Sequence, residues 1–113
     1  LGASETQNLI HLARIRFSIS ISSATLVDIE SAKNYYEEKQ KGLGIRFGKT
    51  IRNSISSLPK QPYFQIRYSD IRCKPIPKFP FMIHFSIDEI KNRINIYGVI
   101  HTSKNPAQTW IKQ

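Results

Sequence analysis

Residues 14–42 read RIRFSISISSATLVDIESAKNYYEEKQKG, and the hydrophobic period changes inside them. From Arg14 to Ser22 the alternation is strict. Ile15, Phe17, Ile19 and Ile21 fall on one face, and Arg14, Arg16, Ser18, Ser20 and Ser22 on the other, which predicts a strand with one buried face. From Ser23 the spacing becomes helical. Leu26, Ile29, Ala32 or Lys33, and Tyr36 form the expected core stripe, widened by Ala24, Val27 and Tyr35. Ser22 or Ser23 supplies an N-terminal cap, with Asp28 and Glu30 near the positive end of the helix. Glu37, Glu38, Lys39 and Lys41 read as a solvated last turn, and Gly42 as the residue that ends it in the left-handed conformation.

The helical period restarts in LGIRFGKTIRNSISSLP, with Leu43, Phe47, Ile51, Ile55 and Leu58 on one face and Pro59 as the stop. A connection this short makes the two helices antiparallel neighbours. Downstream the pattern is strand and turn. YFQIRY is a strand at 63–68, and IRCKPIPKF is extended because Pro75 and Pro77 forbid helix and cannot donate to a ladder. FMIHFSI and INIYGVIH, joined through DEIKNR, are the central strands, since both of their faces are largely apolar. Asn105 and Pro106 open one last helical turn, and Trp110 anchors it. The order predicts an α+β domain: an N-terminal strand, an antiparallel helical hairpin, then an antiparallel sheet of three to four strands.

The chain has 113 residues, enough for one core and too few for two. Residues 13–113 are expected to form that single domain. Residues 1–12 are set apart as a tail, disordered or not native to the chain, because they lack a clean strand pattern and the sequence does not begin with Met. No apolar run is long enough to span a membrane. Cys73 is alone, so no intramolecular disulfide forms, and a reducing cytoplasm is the expected home. The three histidines lack metal-ligand spacing, and neither a metal nor another cofactor is expected.

The charge is uneven. Residues 1–41 balance five basic against five acidic side chains, while residues 42–113 carry twelve against three, so the whole excess of nine lies there. A field of one sign attracts polyanions or an acidic partner protein. On the extended segment from 71, Arg72, Lys74, Ile76 and Lys78 share a face, and Ile71 and Cys73 are expected to look the other way, toward the helices. Arg67, Tyr97, His84, His101 and Lys104 are candidate neighbours on the cationic side. Arg67, Arg72, Lys74, Lys78 and Lys104 are the expected target- or phosphate-binding residues. Cleavage of RNA by its own 2′-hydroxyl would also need a proton acceptor and donor, for which His101 and Tyr97 are the candidates. His84 lies in an apolar strand and reads as a core histidine.

Three stretches together resemble the ParE/RelE superfamily of bacterial type II toxins: ATLVDIESAKNYYEEKQKGLGIRFGKTI, then IRCKPIPKFPFMIHFSID, then INIYGVIHTSKNPAQTW. The most telling parts are YYE followed by GLGIRF, the KFPF entry to a strand, and VIH leading to NP and a Trp. The resemblance runs from about Arg14 to Trp110 and implies a small growth-inhibiting toxin, of the kind used in plasmid stabilization, held inactive by a cognate antitoxin. RelE-like members cleave mRNA on the ribosome without a metal; ParE-like members poison DNA gyrase. The tail, with Lys104 where ParE-like relatives often carry Arg and no Tyr after Tyr97, implies the ParE side. A RelE-like ribonuclease using His101 and Tyr97 is the alternative, as is an inactive module that only binds the antitoxin. A homodimer is also compatible with the resemblance.

Overall fold

The computed structural model describes residues 17–104. The expected tail at 1–12, the start of the first strand at Arg14–Arg16, and the C-terminal turn with Asn105, Pro106 and Trp110 lie outside the described residues.

The elements follow the order β1 (Ser18–Ile21), α1 (Ser23–Lys39), α2 (Leu43–Ser56), β2 (Ile66–Tyr68), β3 (Ile71–Pro75), β4 (Phe81–Asp88) and β5 (Arg93–His101). They build one five-stranded sheet in the order β1-β5-β4-β3-β2. The four strands after the hairpin are antiparallel, as expected. The N-terminal strand joins the same sheet as its edge, parallel to β5, with Ile19 opposite Ile94 and Ile21 opposite Ile96. The helical hairpin between β1 and the rest supplies the long crossover that a parallel pair requires.

Ser22 is the cap of α1, its hydroxyl accepting from the Thr25 N–H at 3.1 Å. The helix is rotated from the expected stripe. Thr25 is fully buried, while Leu26, Val27 and Tyr35 are more than half exposed. Ile29, Ala32 and Tyr36 complete the inward face. Thr25 tolerates burial because its hydroxyl meets the Ser22 hydroxyl at 2.7 Å and lies within 3.5 Å of the Ile96 carbonyl.

The helix–helix turn has two requirements. Gly42 adopts φ 88°, a left-handed conformation that glycine takes without a steric penalty. Gly44 sits where a Cβ would lie 2.5 Å from the Lys33 carbonyl oxygen, so α2 can approach α1 only without a side chain there. Glu37 is exposed in the last turn, as expected, but it also fastens the connection. Its two carboxylate oxygens accept from the Gly42 N–H at 2.8 Å and the Gly44 N–H at 3.0 Å, placing an anion at the positive end of α2.

The main core lies between the hairpin and one sheet face: Phe47, Ile51, Ile55 and Leu58 pack on Ile83, Phe85, Ile94, Ile96 and Val99. KFPF has a packing explanation. Phe79 and Phe81 flank Pro80, and both rings meet Phe47 edge to face, with centroids 5.1 and 5.3 Å away, while Tyr36 meets Phe79 in the same way at 5.0 Å. The opposite sheet face carries a second cluster of Ile71, Cys73 and Met82, with Tyr68 and Tyr97 packed against it.

β2 pairs with β3 only at Ile71 and Arg72, so Pro75 sits beyond the reach of its neighbour strand, where a missing N–H is tolerated. Between β4 and β5 the register shifts. His84 pairs with Gly98 but Phe85 pairs with Ile96, leaving Tyr97 as an extra, bulged residue. That bulge lets Ile96 and Val99 both reach the main core although they are three residues apart.

Candidate functional site

The cations do not form a row on an exposed face. Arg72 pairs with Phe85 and Lys74 with Ile83, so both point to the same side as the main core, and Ile76 is buried in that core. Ile71 and Cys73 point to the face away from the helices, the reverse of the sequence reading. Alternation correctly groups the residues; it does not say which group meets the helices.

Each cation has its own post. Arg72 donates to the Phe64 carbonyl at 2.6 Å, with its guanidinium 5.5 Å from the Tyr63 ring, which ties down the segment before β2. The Lys74 ammonium donates to the Ser54 carbonyl at 2.9 Å and to the Ser57 hydroxyl, closing the C-terminal end of α2. Burial pushes its pKa below the usual lysine value. Lys78 lies past the strand, in the turn before β4, with φ 68°. Arg67 is exposed on β2. Lys104 is exposed just beyond β5.

The proposed acid–base pair is separated. His101 pairs with Phe81, and its ring packs against that ring at 5.2 Å on the helix side of the sheet. Its Nδ1 accepts from the Ser103 N–H at 3.1 Å and meets the Ser103 hydroxyl at 2.8 Å, so the neutral ring carries its proton on Nε2. Tyr97 belongs to the cluster on the other face, its hydroxyl 3.0 Å from that of Ser86. In a regular strand residues four apart share a face; the bulge at Tyr97 reverses the alternation between the two. His84 is buried opposite Cys73, with Nδ1 3.0 Å from the Tyr68 hydroxyl and 3.7 Å from the Cys73 sulfur. Burial, and then the Arg67 charge, lower its pKa to about 4, so the imidazole is neutral at pH 7. It is the core histidine expected from its strand.

Two grooves flank the hairpin. On the β1 side, Ile19 and Ile21 from the edge strand, Leu26 and Ile29 from α1, and Ile51 and Ile55 from α2 line an apolar groove of about 540 Å³. Glu30, Lys33 and Arg52 rim it. Leu26 stands 54% exposed at its border, a residue assigned to the core from its spacing. On the β3 side, the outer face of α2 and the turn after β3 enclose a second groove of about 430 Å³ that holds Lys74, Lys78 and Arg46. Arg46 was not among the expected binding residues. Its signal in the sequence was its place at helical spacing with Thr50, Asn53 and Ser57, outside the core stripe.

No family model matches the sequence, and no curated protein matches it. Among solved structures, the chain is similar to one from the "Chromosomal ParDE TA system from P. aeruginosa", with a TM-score of 0.68. Identity is 12%, and the match covers 80% of this chain and 99% of that one. The likeness is one of fold, and the ParE-like α+β fold that the sequence implied is present. No helix among the described residues is long and apolar enough to cross a membrane.

Proposed function

We propose that this protein is the toxin of a toxin–antitoxin pair, acting in the cytoplasm, neutralised by a cognate antitoxin, and directed at DNA gyrase in the manner of ParE. The observation that carries this reading is the likeness to a chain of a ParDE TA system across 99% of that chain's length. The separation of Tyr97 and His101 onto opposite sheet faces favours an inhibitor over a ribosome-dependent ribonuclease. In-line cleavage requires both proton-transfer groups within about 3 Å of the reacting atoms, and a β-sheet between them prevents that. The antitoxin is assigned to the apolar groove. An amphipathic segment would bury its anchors against Leu26, Ile29 and Ile55, while acidic side chains would meet Lys33 and Arg52 on the rim.

The test is a pair of assays on one preparation: supercoiling by gyrase, and primer extension on translated mRNA. Inhibited supercoiling with uncut mRNA is the expected result. Discrete ribosome-dependent cuts lost in His101→Ala, with supercoiling untouched, would establish the ribonuclease instead. For the groove, Leu26→Glu should leave the fold intact and abolish rescue of growth by the antitoxin encoded beside the toxin gene. Unimpaired rescue would place the antitoxin elsewhere.

A further inference from the structure

The groove on the β3 side of the hairpin has a composition unlike the rest of the surface. Arg46, Thr50 and Asn53 of α2 and Ser57 at its C-terminal cap fall at positions i, i+4, i+7 and i+11, one stripe about 16 Å long at 1.5 Å per residue. The opposite wall is the turn carrying Lys78, and Lys74 lies between them. No carboxylate lines this groove. The one ion pair among the described residues joins Lys33 to Glu30, so Arg46, Lys74 and Lys78 have no carboxylate of the described residues within ion-pair distance. Three uncompensated cations brought together inside one concavity repel one another, and an anion would relieve that repulsion.

The floor and walls narrow the choice of anion. Lys74 spends two of its three N–H donors on Ser54 and Ser57, which fixes its ammonium in place and leaves a third donor. Lys78 holds a left-handed backbone, φ 68°, that side-chain-bearing residues rarely adopt. The turn around it is fastened by the Ile76 N–H to the Phe81 carbonyl at 3.1 Å. The edge of the groove is formed by Pro75 and Pro77. Neither proline has an N–H, so a peptide cannot extend the sheet there by main-chain pairing. Recognition falls to charged, hydroxyl and amide side chains, which suits phosphates spaced along a backbone better than a peptide strand.

We propose that this groove binds the sugar–phosphate backbone of a nucleic acid, with Arg46 and Lys78 holding phosphate oxygens from opposite walls and Lys74 donating from the floor. The contact is assigned to phosphates rather than to base edges, so it is independent of base sequence. The inference does not rest on the toxin reading: it requires only that the protein meets nucleic acid, free or held by another protein.

The test uses fluorescence anisotropy with a labelled 20-base-pair DNA duplex and a 12-nucleotide single strand, at 50 and 200 mM salt. Arg46→Gln/Lys78→Gln removes two exposed groove cations while keeping Lys74, whose loss would loosen α2. Lys49→Gln/Lys60→Gln, both exposed and outside the groove, removes the same charge. The expected result is about a tenfold or greater loss for the groove variant, with a salt slope shallower by about 1.5, against less than about threefold for the control. Equal losses in the two variants would reduce the binding to net charge and overturn the proposal. So would the absence of binding by the unmodified protein at 50 mM salt. A poly-glutamate peptide that competes as well per charge as the oligonucleotide, with the same sensitivity to Arg46→Gln/Lys78→Gln, would overturn the assignment to phosphates.

Discussion

His84 makes the fold acid-sensitive in a way that can be worked from its surroundings. The ring is fully buried on β4 between Tyr68 of β2 and Cys73 of β3, and the cation Arg67 acts on it. The burial and the Arg67 cation both disfavour an imidazolium. Desolvation is the larger cause, Arg67 the smaller, and together they lower the pKa from 6.5 to about 4. The unfolded chain therefore binds a proton near pH 6.5 that the folded chain refuses until about pH 4. Stability from this residue is complete above pH 6.5 and is lost as pH falls through that window. Within it the slope approaches about 1.4 kcal/mol per pH unit, and the accumulated loss by pH 4.5 is about 2–3 kcal/mol. The assay is urea unfolding followed by far-ultraviolet circular dichroism between pH 4.5 and 7.5, for the unmodified protein and His84→Gln. Carboxylates titrate in both proteins, so the difference isolates the histidine. The variant should be less stable at pH 7.5, where it disturbs the contact with Tyr68, and should lose most of that deficit by pH 4.5. A difference that is the same at both pH values would refute the reasoning, because a merely packed histidine costs the same at every pH.

Three further outcomes follow from single residues. Gly44→Ala should destabilise by roughly 1–3 kcal/mol through the clash with the Lys33 carbonyl, read as a lower urea midpoint with an unchanged slope. Lys74→Met should cost about 1–3 kcal/mol, because the Ser54 carbonyl loses its charged donor, whereas Lys78→Met at the exposed turn should stay within about 0.5 kcal/mol by the same measurement. Cys73 is 5% exposed with its thiol pKa raised by burial, so iodoacetamide at pH 8 should label it at a rate set by unfolding, and 6 M urea should accelerate labelling by orders of magnitude; equal rates would place the thiol at the surface.

Much of this architecture was legible because period and punctuation agree. The switch from alternation to helical spacing after Ser22, the glycine at 42 and the paired prolines at 75 and 77 each fixed an element to within a few residues. Orientation was less legible. Arg72 and Lys74 do share a face, but the expectation that cations face water placed that face outward. Lysine and arginine have stems long enough to lie along a core while the charged end finds a carbonyl, and here Ser54 and Phe64 supply those carbonyls. Thr25 displaced Leu26 for a similar reason, since a hydroxyl satisfied by Ser22 is as easily buried as a methyl. The bulge had one sequence signal, a glycine inside the strand INIYGVIH, and glycine in a strand often marks such a position. Reading that signal would have separated Tyr97 from His101 and removed the acid–base pair. Glu37 had no signal at all: a charged residue at a helix end is ordinary, and its role depends on where the next helix begins.

The two grooves share one helix, and their arrangement bears on how the proposed antitoxin would act. α2 turns Phe47, Ile51 and Ile55 toward the sheet. Gly48, Arg52 and Ser56 lie on the β1 flank and Arg46, Thr50 and Asn53 on the β3 flank. No residue lines both grooves, so an antitoxin seated between β1 and the hairpin leaves the cationic groove uncovered. If the proposed antitoxin occupied the apolar groove alone, it would not act by blocking phosphates. It would act by denying the target the surface around Leu26 and β1, or by adding bulk that the target complex cannot accommodate. On this arrangement the neutralised complex keeps its affinity for nucleic acid, and the salt dependence of DNA binding should be the same with the antitoxin present, apart from the change in net charge. An antitoxin long enough to wrap the C-terminal end of α2 would behave differently, since it would place its own acidic residues against Lys74. The salt slope measured with and without antitoxin distinguishes the two: an unchanged slope means that the grooves act separately, and a slope that falls by the contribution of Arg46 and Lys78 means that one partner spans both.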